Sequence, residues 1–433
     1  MSDRPRNPGH APRGSRALTL ALAAAALVLG PGCGDDTTRA PPGQFVRSEH
    51  QRLAPASDLG DARTLAANNA DFALALLHAA APTGNFFFSP HSISLALAMT
   101  YAGAAGDTAA DMRSALRFRQ EPAVLHPAFN TLDQTLASRG QDAHGLDGTP
   151  FRLRITNALF AQQGFAILPS YLDLIAEHYG AGVSLLDFVT APEPARQAIN
   201  AWVAAVTEGR IPELLPQGAV DPSTVLVLLN AVYFNAAWDS AFSEASTAPG
   251  AFTLPDGSSV SVPLMHGRVG STLAIGTGWR AAEIPYEGAD ISFLLVVPDD
   301  LAGFEATLDG ARYQAIVAAL QPSDVAITLP RFSLRSQLSL RPALSALGMA
   351  RAFEAADLSA LSPTDGLFIS DVIHEGWVRV NEKGTEAAAA TAVIVGRVSL
   401  PEEVVANRPF LFFVRDRPTG AILFAGRVTD PRP

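Results

Sequence analysis

Hydrophobic positions along the chain change period several times, and each change predicts an element. From about Asp61 to Ala81 apolar residues recur at helical spacing, with Leu65, Phe72, Ala73, Leu76 and Leu77 on one side. Ser89 before Pro90 predicts a second helix start, a capping hydroxyl followed by a proline at the first helical position, and that helix should end near Gly103. Three continuous apolar runs, Val225 to Leu229, Ile291 to Val297 and Val325 to Leu329, read as strands covered on both faces. Helical periodicity occupies Gln197 to Val206 and Leu338 to Leu347. Phe410 to Val414 and Ala421 to Ala425 flank Pro418-Thr-Gly420 and predict a hairpin. No internal repeat and no second linker interrupts residues 61–433, which predicts one mixed α+β domain.

The stretch from Asn381 to Leu400 supports two readings. Gly384 loosens its start and nothing between Ala387 and Val395 is charged, as in an exposed loop. Its alternation also suits a strand, with Thr385, Ala387, Ala389, Thr391, Val393 and Val395 on one face and Glu386 on the other. A third reading, an alanine-rich helix, follows from helix propensity alone.

Residues 1–33 carry an export pattern. Arg4, Arg6, Arg13 and Arg16 precede an apolar run from Ala17 to Leu29 that is too short to span a bilayer. Cys33, the only cysteine in the chain, follows at once in Leu29-Gly-Pro-Gly-Cys33. The arrangement resembles a bacterial lipoprotein signal, which implies lipidation at Cys33; an ordinary cleaved signal is the alternative. Either places the protein in the cell envelope or outside the cell, with membrane contact only through the Cys33 anchor. A single cysteine excludes an internal disulfide. Residues 34–60, polar and proline-containing, read as a flexible tether. The formal charge is −11. Removing residues 1–32 takes away four arginines and one aspartate and leaves −14, which argues against nucleic acid and anionic membrane surfaces as partners.

Catalytic signatures are missing. The chain has no nucleophile elbow, no phosphate-cradling glycine loop and no His-Glu-x-x-His pair. None of its nine histidines pairs with another at helical metal-ligand spacing, so no metal and no cofactor are expected. Asp299-Asp300 and Glu402-Glu403 read as solvated charge, and His374 as a hydrogen-bonded core histidine. The chain is therefore read as not an enzyme.

Several motifs then occur in a fixed order: Phe88-Ser-Pro-His-Ser-Ile93 with Gly103-Ala-Ala-Gly-Asp-Thr108, then Asn157-Ala-Leu-Phe160 and Ile199-Asn-Ala-Trp-Val203 with Thr207-Glu-Gly-Arg-Ile211. Asn230-Ala-Val-Tyr-Phe234 with Trp238 follows, then Leu347-Gly-Met349, Phe353, Ala356-Asp-Leu-Ser359, Asn407-Arg-Pro-Phe-Leu-Phe412 and Gly426-Arg-Val428. From about Asp61 to Pro431 the chain resembles the serpins, the serine protease inhibitor family. The resemblance implies three β-sheets, eight or nine helices and an exposed reactive-centre loop over 382–400. It implies a suicide substrate: a protease cuts the loop, is acylated by it, and is trapped as the loop inserts into the central sheet.

Carried over by motif, the hinge is Glu382, Lys383, Gly384, Thr385, Glu386, Ala387, Ala388, Ala389 and Ala390. Counting onward from Glu382, and back from Asn407, places the cut between Val398 and Ser399, with Arg397–Val398 as the alternative. Ser89, Ser92, Asn157, Asn230 and His374 match the family's shutter, a polar cluster under the point where the sheet opens, and Trp238 matches its breach. Asn235-Ala236 and Ala406 depart from the usual residues. A cut at Val398 implies an elastase-like or subtilisin-like target, and one at Arg397 a trypsin-like target, met by a monomer. The other readings are a non-inhibitory serpin that binds or carries, and an inhibitor of papain-like cysteine proteases. No basic helix is evident, so no polyanion activator is expected.

Overall fold

Residues Gly60–Ala80 form the first long helix, and Leu65, Phe72, Ala73, Leu76 and Leu77 are all buried along it. In this computed structural model the described residues are 40–80, 82–140, 143, 151–385 and 402–432, all in the unit Arg39–Pro433. The helix Pro90–Tyr101 starts as its sequence predicts, with the Ser89 hydroxyl accepting from the Ser92 amide and Pro90 at the first position. All twelve of its residues are buried, so it works as a central core element.

In chain order the strands are β1 (Gln44–Val46), β2 (Phe86–Phe88), β3 (Arg152–Gln162), β4 (Val183–Leu186), β5 (Leu226–Ala237), β6 (Ala248–Thr253), β7 (Ser259–Gly276), β8 (Trp279–Pro285), β9 (Ile291–Pro298), β10 (Gln321–Pro330), β11 (Phe332–Ser339), β12 (Ile369–Asn381), β13 (Gly384–Thr385), β14 (Glu402–Val405), β15 (Phe410–Asp416) and β16 (Ile422–Val428). They form two sheets among the described residues. The first has seven strands in the order β1-β4-β3-β5-β13-β12-β11. The second has nine, in the order β14-β10-β7-β8-β9-β15-β16-β2 with β6 on β7. Two of the three sheets implied by the family run together here, because the eighteen-residue β7 pairs with β6, β8 and β10 in turn.

The main core lies between these layers, and the helix Gly60–Ala80 and the helix Pro90–Tyr101 contribute to it. A smaller core forms where the helix Pro192–Val206 covers the seven-stranded sheet, with Ile199, Trp202 and Val203 packed with Phe160, Leu229 and Ile373. The hairpin of β15 and β16 forms as the two apolar runs around Pro418-Thr-Gly420 predict.

Three expectations need correction. Val325 to Leu329 is not covered on both faces: Val325, Ile327 and Leu329 are buried while Ala326 and Thr328 between them are half-exposed. Near the rim of the sheet only one face of β10 meets the core. Leu338 and Ser339 close β11, paired with His374 and Ile373, and the helix begins only at Arg341. Ladder hydrogen bonds to β12 outweigh the local helical period there, and Pro342 favours a start at that point. The tether also holds tighter than its composition implies. Gln44–Val46 adds an antiparallel edge strand to β4, Ser48 donates to Asp173 at 2.5 Å, and Arg52 pairs with Asp133 at 2.6 Å. Polar composition alone reads as disorder, but each of these polar groups finds a partner on the body of the protein.

Candidate functional site

Where β12 ends, the chain reverses. The Asn381 side chain accepts from the Lys383 amide at 3.0 Å and fixes a tight turn, from which Gly384 and Thr385 fold back as β13. This short strand lies between β12 and β5, antiparallel to both, with Thr385 opposite Val380 and Ala236 and Gly384 opposite Asn381 and Ala237. Gly384 has φ +149°, and a Cβ there would lie 2.1 Å from the Ala236 carbonyl oxygen, so only glycine can make the entry.

Every backbone carbonyl of the turn is held from one side. Trp238 Nε1 donates to Asn381 O at 2.9 Å, the Trp238 amide to Lys383 O at 2.9 Å, and the Phe242 amide to Glu382 O at 2.8 Å. Trp238 stacks on Tyr286 with centroids 4.6 Å apart and planes 8° from parallel. The Tyr286 hydroxyl meets the Thr385 hydroxyl at 2.8 Å, with Thr385 fully buried. Glu382 is buried and accepts from Arg331 at 2.6 Å and from Thr247. Burial pushes its carboxyl pKa up, but the Arg331 and Thr247 hydrogen bonds outweigh that and hold it below 4.5. Lys383 Nζ lies 3.2 Å from Glu244.

Below the turn, β5 and β12 pair directly and in parallel, from Ile369 opposite Leu226 to Trp377 opposite Tyr233. Midway along this seam His374 lies opposite Asn230. The Ser89 amide donates to His374 Nε2 at 3.1 Å, so Nε2 accepts and Nδ1 carries the proton; Nδ1 then donates to Asn230 Oδ1 at 2.5 Å. The Asn230 amide donates to both Ser92 Oγ and Asn157 Oδ1. Burial pushes the His374 pKa down to about 3, so the ring stays neutral. One cluster thus ties β3, β5, β12 and the start of the helix Pro90–Tyr101 together, and every member has a partner.

The structure therefore brings Ser89, Ser92, Asn157, Asn230 and His374 into one contact network, and sets Trp238 against the turn of Glu382, Lys383, Gly384 and Thr385. Glu386, Ala387 to Ala390, Arg397, Val398, Ser399 and Cys33 lie outside the described residues. Past them β14 pairs parallel with β10 in the other sheet, so the segment 386–401 connects the two sheets. Sequence reasoning missed Arg331, Thr247, Tyr286 and Glu244. Each lies far from Glu382 in the chain, and no local pattern marks any of them.

Residues 67–431 match the family described as serpin (serine protease inhibitor). The chain is 40% identical over 364 residues to the leukocyte elastase inhibitor of Bos taurus, covering 81% of this chain and 94% of that protein. The chain belongs to the serpin family. The leukocyte elastase inhibitor A of Rattus norvegicus is 37% identical over 385 residues, covering 85% and 99%. Among solved structures the native thermophilic serpin tengpin superposes with a TM-score of 0.78 at 28% identity, covering 89% of this chain and all of that one. Uncleaved ovalbumin gives a TM-score of 0.76 at 27% identity.

The mixed α+β serpin fold and inhibition of serine proteases follow from this membership, with the loop acting as a suicide substrate. One expectation is corrected here. Reading the chain merely as not an enzyme describes it by an absence, whereas the comparisons give a positive activity exerted on enzymes, that of a protease inhibitor.

Proposed function

We propose that this serpin is exported and anchored through Cys33, and that it traps an elastase-like or subtilisin-like serine protease that cuts between Val398 and Ser399. The observation that carries the reading is β13. Two hinge residues already occupy the first rungs between β5 and β12, so further insertion extends an existing strand and needs no new nucleus.

The register supports this. Stepping onward from Thr385, residue 391 reaches His374 on β12 and Asn230 on β5 together, and those two are partners of each other in the intact seam. Insertion separates Asn230 from His374 and brings the Thr391 hydroxyl between them. Residues 387, 389 and 393 enter on the same inward face, where small or β-branched side chains fit a space framed by existing ones. Val398 suits pockets that accept small aliphatic groups, in keeping with relatives named leukocyte elastase inhibitor.

The test uses the chain without residues 1–33, keeping the docked segment around β1. Incubation with pancreatic elastase or subtilisin should give an SDS-resistant adduct and release a C-terminal peptide beginning at Ser399 by mass. A peptide beginning at Val398, formed with trypsin, moves the cut by one residue. Complete turnover by all three enzymes without an adduct refutes trapping. In the full chain, fatty-acid labelling lost on Cys33→Ser tests the anchor.

A further inference from the structure

The hinge turn forms one wall of a cleft of about 960 Å³, located where β5 and β12 cease to pair. Its lining contains Arg152, Arg210, Arg331, Arg379, Lys383 and Arg432, against two carboxylates, Glu244 and Glu382. Such a concentration is notable in a chain of net charge −11. The six cations come from β3, the loop after the helix Pro192–Val206, the entry to β11, the end of β12 with the hinge, and the C-terminus. No single helix or run of sequence carries them, so no basic helix marks the cleft in the sequence.

Their present partners leave the cleft positive. Arg331 pairs with Glu382, Lys383 with Glu244, Arg152 with Glu208 at 2.8 Å and Arg432 with Asp430 at 2.6 Å. Arg210 lies over the Trp377 ring at 5.2 Å. Arg379 is exposed and forms no ion pair among the described residues. Gathering like charges in one cleft raises the potential there, and a bound anion relieves it. Guanidinium groups are suited to tetrahedral oxyanions, which they grip with two parallel hydrogen bonds. The volume is within the range of small-molecule sites.

We propose that this cleft binds a small multivalent oxyanion bearing phosphate or sulfate groups. Its groups span the seam: Arg152 belongs to β3 on the β5 side, and Arg379 and Lys383 belong to β12 and the hinge on the other. A ligand held from both sides ties together strands that must part for the loop to enter. It therefore favours the uncut molecule and slows insertion. This regulatory consequence, though not the binding, rests on the trapping mechanism proposed above.

The test is calorimetric titration of the chain lacking residues 1–33 with inositol hexakisphosphate and, separately, sucrose octasulfate, at an ionic strength of about 0.15 M, where loose surface attraction is screened. One-to-one binding is expected for at least one probe, and which of them binds separates phosphate from sulfate recognition. Arg379→Gln and Arg152→Gln should each weaken it about tenfold, roughly one charge-assisted contact, whereas Arg268→Gln, paired with Asp324 on β10, should bind like the parent. No saturable heat from either probe, or equal affinity in Arg379→Gln and Arg268→Gln, overturns the site. The bound probe should also raise the melting temperature of intact protein more than that of loop-cut protein, and equal shifts overturn the regulatory claim. If the titration succeeds but no protease is trapped, the site stands and the proposed mechanism fails. If protease is trapped and the titration is flat, the reverse holds.

Discussion

The two sheets hold their central strands by different means. In the seven-stranded sheet β5 and β12 meet in parallel, with a polar cluster of Asn230, His374, Asn157, Ser89 and Ser92 at the middle of the seam. In the nine-stranded sheet β9, β15 and β16 are antiparallel, and Phe412 stacks on Phe293 at 5.2 Å and on Phe87 at 6.0 Å. Parallel pairing is slightly weaker per residue, and hydrogen bonds between neutral groups contribute little net energy when another partner can replace them. Stacked buried rings have no comparable substitute. The contrast shows how one molecule combines a seam that can open with a frame that cannot.

The largest expected effect is on the frame. Phe412→Ala should cost about 4 kcal/mol, as usual for a large core ring, and should destabilise intact and loop-cut protein alike in denaturant melts. A loss confined to the intact form would mean that the frame takes part in opening.

Thr385→Arg addresses the seam. A guanidinium at this fully buried site lacks a carboxylate, and leaving it unpaired should cost about 3 kcal/mol or push β13 out. The variant should be cleaved as a substrate and give no SDS-resistant adduct. If it still traps protease, entry of Thr385 between β5 and β12 has no part in the mechanism.

Acid should loosen the seam more gently. His374 titrates near 3 when folded against 6.5 when free, so the unfolded chain binds the proton first. Its contribution is complete above pH 6.5 and falls by about 1.4 kcal/mol per unit as pH drops toward 3. His126, lowered to about 4 by burial, acts in the same direction. Glu382, held below 4.5 by Arg331 and Thr247, adds its loss only below that value. Denaturant midpoints should therefore decline from pH 7 to 5, less steeply in His374→Gln. An identical slope in that variant assigns the acid sensitivity elsewhere.

Much of this could be read from the chain itself. Ser89-Pro90 capped a helix as expected, the apolar runs on either side of Pro418-Thr-Gly420 gave a hairpin, and the ordered motifs implied the family, because capping, periodicity and turn chemistry act over a few residues. The five polar residues of the seam were also named from sequence, though only through family resemblance, since residues 89, 157, 230 and 374 share no local pattern. Tertiary structure alone decided the rest. It paired Glu382 with Arg331, put Tyr286 beneath Thr385, converted a polar tether into an edge strand and collected six cations in one cleft. Charge and burial at these sites depend on which distant segments meet, and a one-dimensional pattern carries no record of those meetings.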